Sequence, residues 1–365
     1  MKITGNKKTI IAVSTCIVIS FLSLFSLFKL TGSKAVIEVC VSMLIPSDSM
    51  GSSITMSAKK ALTSILKTNT DKNDSEDAVK VNSLAYVPED IQSLMDNFSS
   101  GNETGGKIVP VTYGSDSANT IAGNILVKNT TGRSLNIAEA LKQKPSLTGA
   151  EEKEISVLIF HTHTTECYQT TDSDTYPKNF SSRNEDENQN MIRVGEEIAE
   201  QLKKAGIGVI HDKEIYDRRY TGAYERSGES VDRYLKKYPT IQVVLDVHRD
   251  AIQTSETTKV KPVTTISGKK AAQIMIITGC EGGDITDFPN WEDNLHFALQ
   301  LQKTAEEMYP TLMRPLFFCN RKYNMYKSKC SVLLEMGSDG NTLDEAAYSG
   351  RLIGNVLGTM LNKYL

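Results

Sequence analysis

Ile155-Ser156-Val157-Leu158-Ile159-Phe160, followed at once by His161-Thr162-His163-Thr164-Thr165-Glu166, is the stretch that decides the fold. An apolar run ending in a polar, histidine-bearing string predicts a buried strand that delivers side chains to the loop at its C-terminal end. Two further runs repeat the arrangement. IQVVLDV at 241–247 leads to His248, and CSVLLEM at 330–336 carries Glu335. Helical patterns alternate with these strands at 191–206, 227–239 and 291–310, and Gly206 and Pro239 stand at stop positions. A last helix begins after Thr342, whose spacing to Glu345 is that of a capping box. Continuous apolar strands alternating with helices predict an α/β protein whose mainly parallel or mixed sheet is covered by helices on both faces. Ligands of such folds bind beyond the strand C-termini, where both histidine strings and Glu335 fall.

The chain has 365 residues, 39% of them hydrophobic, and a net charge of −3, which gives no reason to expect a nucleic-acid partner. Residues 9–28 are free of charge and follow Lys7-Lys8, a length and flank that predict an uncleaved membrane anchor with the remainder outside the cytoplasm. Residues 31–115 read as a juxtamembrane segment and a stalk rich in Asn, Asp, Ser, Gly and Thr, and 116–365 as the catalytic domain. Six cysteines without CxxC spacing argue against a disulfide framework, and Cys280, Cys319 and Cys330 read as small core residues.

Catalytic zinc takes three protein ligands and keeps a position for water. His248 follows a buried strand yet stands in the polar string 246–250, which suits a ligand. Alternation along an extended backbone puts His161 and His163 on one side, so both ligate or one assists the other. Glu166 either supplies a carboxylate ligand or holds a histidine tautomer. Glu335 ends an apolar strand, where a bare charge is costly, so it serves as a general base at a site mouth or as half of an ion pair. Arg249 either grips a substrate carboxylate or pairs with Asp246 or Asp250. The Gly279–Asp284 string lacks the Lys-Ser/Thr ending of a phosphate loop and reads as a turn shaping the cleft.

HTHTTECYQ, LDVHRD, the stretch from ITGCEGGD to NWEDNLHFALQLQ, Tyr323-Asn324 and LLEMGSDGNTLDEA occur in an order and spacing that resemble the stage II sporulation protein P family, over residues 120–365. The resemblance implies a membrane-anchored peptidoglycan hydrolase, with N-acetylmuramoyl-L-alanine amidase and cross-link endopeptidase activity, in engulfment during sporulation. It implies a lytic transglycosylase and a membrane protein as partners. That family is similar to type 3 zinc amidases, which hold Zn2+ with His, Glu and His and use a second Glu for catalysis. Carried over by strand position, His163 and His248 are ligands, His161 a helper close by, and Glu335 the catalytic carboxylate. The middle ligand departs from the pattern, because its place falls at Asn190 or Met191. Glu166 takes that role, with Glu185 and Glu187 in reserve. The alternative of another class is a metal-stabilised wall-binding or scaffold module without turnover.

Overall fold

The computed structural model describes residues 83–365 except 100, 102 and 152. In chain order the elements are α1 (Glu89–Asp96), β1 (Thr104–Val111), β2 (Thr120–Ala122), β3 (Ile125–Asn129), α2 (Ile137–Ala140), β4 (Ile155–Phe160), β5 (Thr175–Pro177), α3 (Met191–Lys204) and β6 (Gly208–His211). There follow α4 (Ala223–Lys237), β7 (Val243–Asp250), β8 (Gln253–Ser255), β9 (Thr258–Ile266), β10 (Lys269–Ala272), β11 (Ile274–Gly279), α5 (Trp291–Met308), β12 (Leu316–Cys319), β13 (Cys330–Ser338) and α6 (Leu343–Leu361).

Eight strands form one mixed sheet in the order β2-β3-β12-β11-β13-β7-β4-β6. β6, β4, β7 and β13 run parallel, and β11 turns antiparallel to β13. Successive strand residues point to opposite faces, so each strand feeds two clusters. Val157, Ile159, Val243, Leu245, Val247, Val332, Leu334 and Met336 join the large core with α3, α5 and α6. Leu158, Phe160 and Val244 meet Val231 of α4 on the other face. The expected α/β fold with helices on both faces is what forms.

α6 carries the capping box expected at Thr342 and Glu345. Its Gly350, Gly354 and Gly358 recur every fourth residue and face α3; a Cβ on Gly354 would sit 2.8 Å from the Gln201 Cβ and 2.9 Å from the Ile198 carbonyl oxygen. The two helices therefore pack backbone to backbone, and larger residues in that row would force them apart.

Composition alone reads residues up to 115 as stalk, yet 84–111 are built into this unit. β1 pairs with β9 in parallel and with β5 antiparallel in a second, smaller sheet. Leu84 and Ile91 are buried in the large core. Arg351 of α6 is fully buried; it donates to the carbonyls of Leu84 (2.9 Å) and Tyr86 (2.7 Å) and pairs with Glu197 at 2.9 Å.

The expected single-pass membrane placement requires correction. Among the described residues no helix is long and apolar enough to cross a membrane. The anchor expected at 9–28 and the segment at 31–82 lie outside the described residues.

Candidate functional site

Alternation decides which end-of-strand side chains meet. Asp246 and His248 share the α4 face of β7 with Val244, and Glu335 shares that face of β13. The parallel register sets Glu335 directly beside His248. The chain turns at Thr162–Thr165 after β4, so His163 swings over to the same face, and its ring meets that of His248 edge-on at 5.3 Å. Glu166 Oε2 lies 3.6 Å from His248 Nδ1 and accepts from the Arg249 backbone N–H.

His161 does not join them, which corrects the expectation that it assists from the same side. It continues the alternation of β4 onto the face of Val157 and Ile159. There its Nδ1 is 2.8 Å from the Val247 carbonyl and its Nε2 is 2.9 Å from His211 Nε2. His211 is held in turn by Glu196, 3.1 Å away. This pair of rings, with His161 fully buried, lies under Gly195 of α3 and takes no part in the cluster around His248.

Arg249 is corrected in the same way. Its fork is spent on main-chain carbonyls, Nε on Cys167 at 3.0 Å and Nη2 on Ser182 at 2.6 Å. It fastens the loop after β4, and a third main-chain carbonyl, that of Asp250, lies 3.3 Å from Nη1, so all three nitrogens are turned to the protein's own backbone. Of the reserve carboxylates, Glu185 is drawn to Arg218 at 3.0 Å and Glu187 is exposed.

Three residues at the site were not singled out by the sequence. Asp246 accepts from the Thr162 backbone N–H (2.9 Å) and hydroxyl (2.7 Å), pinning the turn, and its Oδ1 stands 2.7 Å from His248 Nε2. Asp217 does the same for Thr165 and pairs with Arg183. Tyr220 stacks on His163 with ring centroids 4.7 Å apart. Only Asp246 carries a signal in the chain: it is an acid inside an apolar strand, two residues from a histidine.

Burial would raise the Glu166 carboxyl, but contact with His248 and the charge of Arg249 hold it at about 2. Burial works against a charged His248, yet Asp246 and Glu166 raise it well above the usual imidazole value. Glu335 goes the other way: burial pushes its carboxyl up to about 8, with Asp250 and Glu166 adding to the rise and His248 opposing it. One of its oxygens, Oε2, is buried without a hydrogen-bond partner, and the residue lines a cavity of about 370 Å³.

His163 Nδ1 is likewise buried without a hydrogen-bond partner, as a ligating nitrogen would be, whereas His248 Nε2 is turned to Asp246 at 2.7 Å. The carboxylates between them are turned to other partners. Among the described residues no group of three or more His, Cys, Asp or Glu is arranged to hold an ion. The donor types suit zinc while their present arrangement does not enclose it.

A family model described as Stage II sporulation protein P matches residues 51–358. The Stage II sporulation protein P of Bacillus subtilis (strain 168) is 27% identical over 238 residues, covering 60% of this chain and 54% of that one. The chain thus spans about half the length of this curated relative. Among solved structures, N-acetylmuramoyl-L-alanine amidase AmiC2 of Nostoc punctiforme is similar at 12% identity and a TM-score of 0.35, over 59% of this chain and 98% of that one. The CwlD amidase from Clostridioides difficile, in complex with the GerS lipoprotein, is similar at 12% identity and a TM-score of 0.36, over 57% and 98%.

Proposed function

We propose, from the premise that this chain belongs to the stage II sporulation protein P family, that it hydrolyses peptidoglycan at the amide between the muramoyl lactyl group and L-Ala. The observation that carries the proposal is Glu335: a carboxyl set beside His248 in the sheet register, on a residue that lines a cavity, with one oxygen buried and without a hydrogen-bond partner. A carboxyl poised at about 8 exchanges protons in either direction near neutrality. Glu335 accepts a proton from the attacking water and returns it to the leaving amine. Asp246 and Asp217 keep the turn that carries His163 in place during these transfers. His163, Glu166 and His248 are the residues that would hold Zn2+, which would supply Lewis acidity there. The same reading extends to cleavage of stem-peptide cross-links, and to work beside a lytic transglycosylase in engulfment during sporulation.

Mass spectrometry of purified muropeptides after incubation with the full chain tests this. Amidase action frees intact glycan from stem peptide, and Glu335→Gln abolishes the release. Equal release by both proteins removes Glu335 from the chemistry. Products cut only within the stem assign the site to cross-links instead.

A further inference from the structure

The α4 face of the large sheet is only half covered. α4 seals Leu158, Phe160 and Val244, but the next apolar cluster on that face, Ile277, Cys319 and Leu333 with Met275, Phe317 and Tyr323, is built from strand and loop residues alone. The register lays these side chains out as a floor. Glu335 sits beside Met275, Ile277 beside Phe317, and Phe317 beside Lys128 of β3. Met275, Ile277, Phe317 and Tyr323 of this cluster line the cavity that Glu335 also lines, while Cys319 and Leu333 are buried; Glu335 of β13 stands at one end and Lys128 of β3 at the other.

The two ends differ in charge. Arg314 also lines the cavity, but its guanidinium is held by Asp250 at 3.0 Å and lies over the Tyr113 ring at 4.9 Å. Lys128 is exposed, rests above the Phe317 ring at 5.9 Å, and has no ion pair among the described residues. Apolar strand surface leading from a proton-transfer group to an unspent cation suits an extended, acidic peptide. Its length follows from the sheet. β13 to β3 is three strand spacings, about 14 Å at about 4.8 Å each, which an extended peptide covers in about four residues.

We infer that this trough is the stem-peptide subsite, and that Lys128 selects stems with a free carboxylate about four residues from the bond cleaved. The inference rests on the peptidoglycan reading above and deepens it by naming the determinant. Lys128 is a specificity residue here, remote from the reacting atoms.

The test is calorimetric binding to the full chain of a stem tetrapeptide with its C-terminal carboxylate free, against the same peptide with that carboxylate amidated. Neither has a scissile amide, so turnover is not needed. The free acid binds tighter by about fivefold, the scale of a partly exposed ion pair. Lys128→Gln removes the preference and Lys128→Arg keeps it, with circular dichroism unchanged because the side chain is exposed. Equal affinities, a preference that survives Lys128→Gln, or no binding of either peptide overturns the subsite. Binding that follows Lys128 in a chain that releases no glycan overturns the amidase reading and leaves the trough standing. Cleavage without discrimination does the reverse.

Discussion

Glu335 and His248 stand side by side in the register of β13 and β7, at the end of the sheet where the parallel strands finish. Two rigid strands therefore set the position of the carboxylate, and no mobile loop is involved. Glu335→Asp draws the carboxylate back by one methylene and cannot be rescued by a shift of the backbone. The expected result in a muropeptide assay is a fall in kcat of about a hundredfold with KM little changed. Near-normal kcat would mean that the proton carrier is another group.

Gly195 lies against the rings of the buried histidine pair. A Cβ there would come within 2.5 Å of His211 Nε2 and 2.6 Å of His161 Nε2. An ordinary exposed helix gains about 1 kcal/mol from Gly→Ala. Here overpacking reverses the sign, and Gly195→Ala destabilises by about 2 kcal/mol in urea unfolding. A stabilised variant would place His161 away from α3.

Arg249→Lys separates a structural from a substrate role. Lysine cannot span both the Cys167 and Ser182 carbonyls, so about 1–3 kcal/mol of stability is lost. Unchanged stability with a raised KM would return Arg249 to the substrate.

Chelation tests the metal. Treating the full chain with a chelator stops muropeptide cleavage and added zinc restores it. Zinc at about a hundredfold excess over its Kd adds about 2.7 kcal/mol to the stability of a binding protein. The thermal midpoint rises accordingly in the native chain and not in His248→Ala. Identical midpoints with and without zinc would exclude a resident ion.

Asp90 of α1 is held below the usual carboxylate range, mainly by its hydrogen bond to Arg193 of α3 at 2.6 Å. A folded value below the unfolded one means stabilisation above the unfolded pKa that is lost as pH falls through the folded one. Asp90→Asn therefore lowers the melting temperature at neutral pH, and the gap to the native chain closes in acid. A gap that persists when both side chains are neutral would point to packing.

The strands that bear the site were legible because a buried parallel strand needs an unbroken apolar run, and its polar terminus then stands out. His161 and His163 part because alternation holds through His161 and fails at the turn over 162–165, which carries His163 to the other face. β1 escaped because its neighbours hold it by main-chain hydrogen bonds, which ask little of composition; within TGGKIVPV only Ile108 is buried. Asp217, Arg183 and Tyr220 lie in irregular segments, where no period marks which side chain turns inward.

Arg351 gives residues 84–86 a physical reason to belong to the folded unit. Cutting the chain at residue 115 would remove Leu84 and Tyr86, whose carbonyls take two of its donors, and leave a guanidinium sealed inside α6 with Glu197 alone. An excised fragment meant for crystals or assays therefore has to keep Leu84 and Tyr86, far ahead of the site residues themselves.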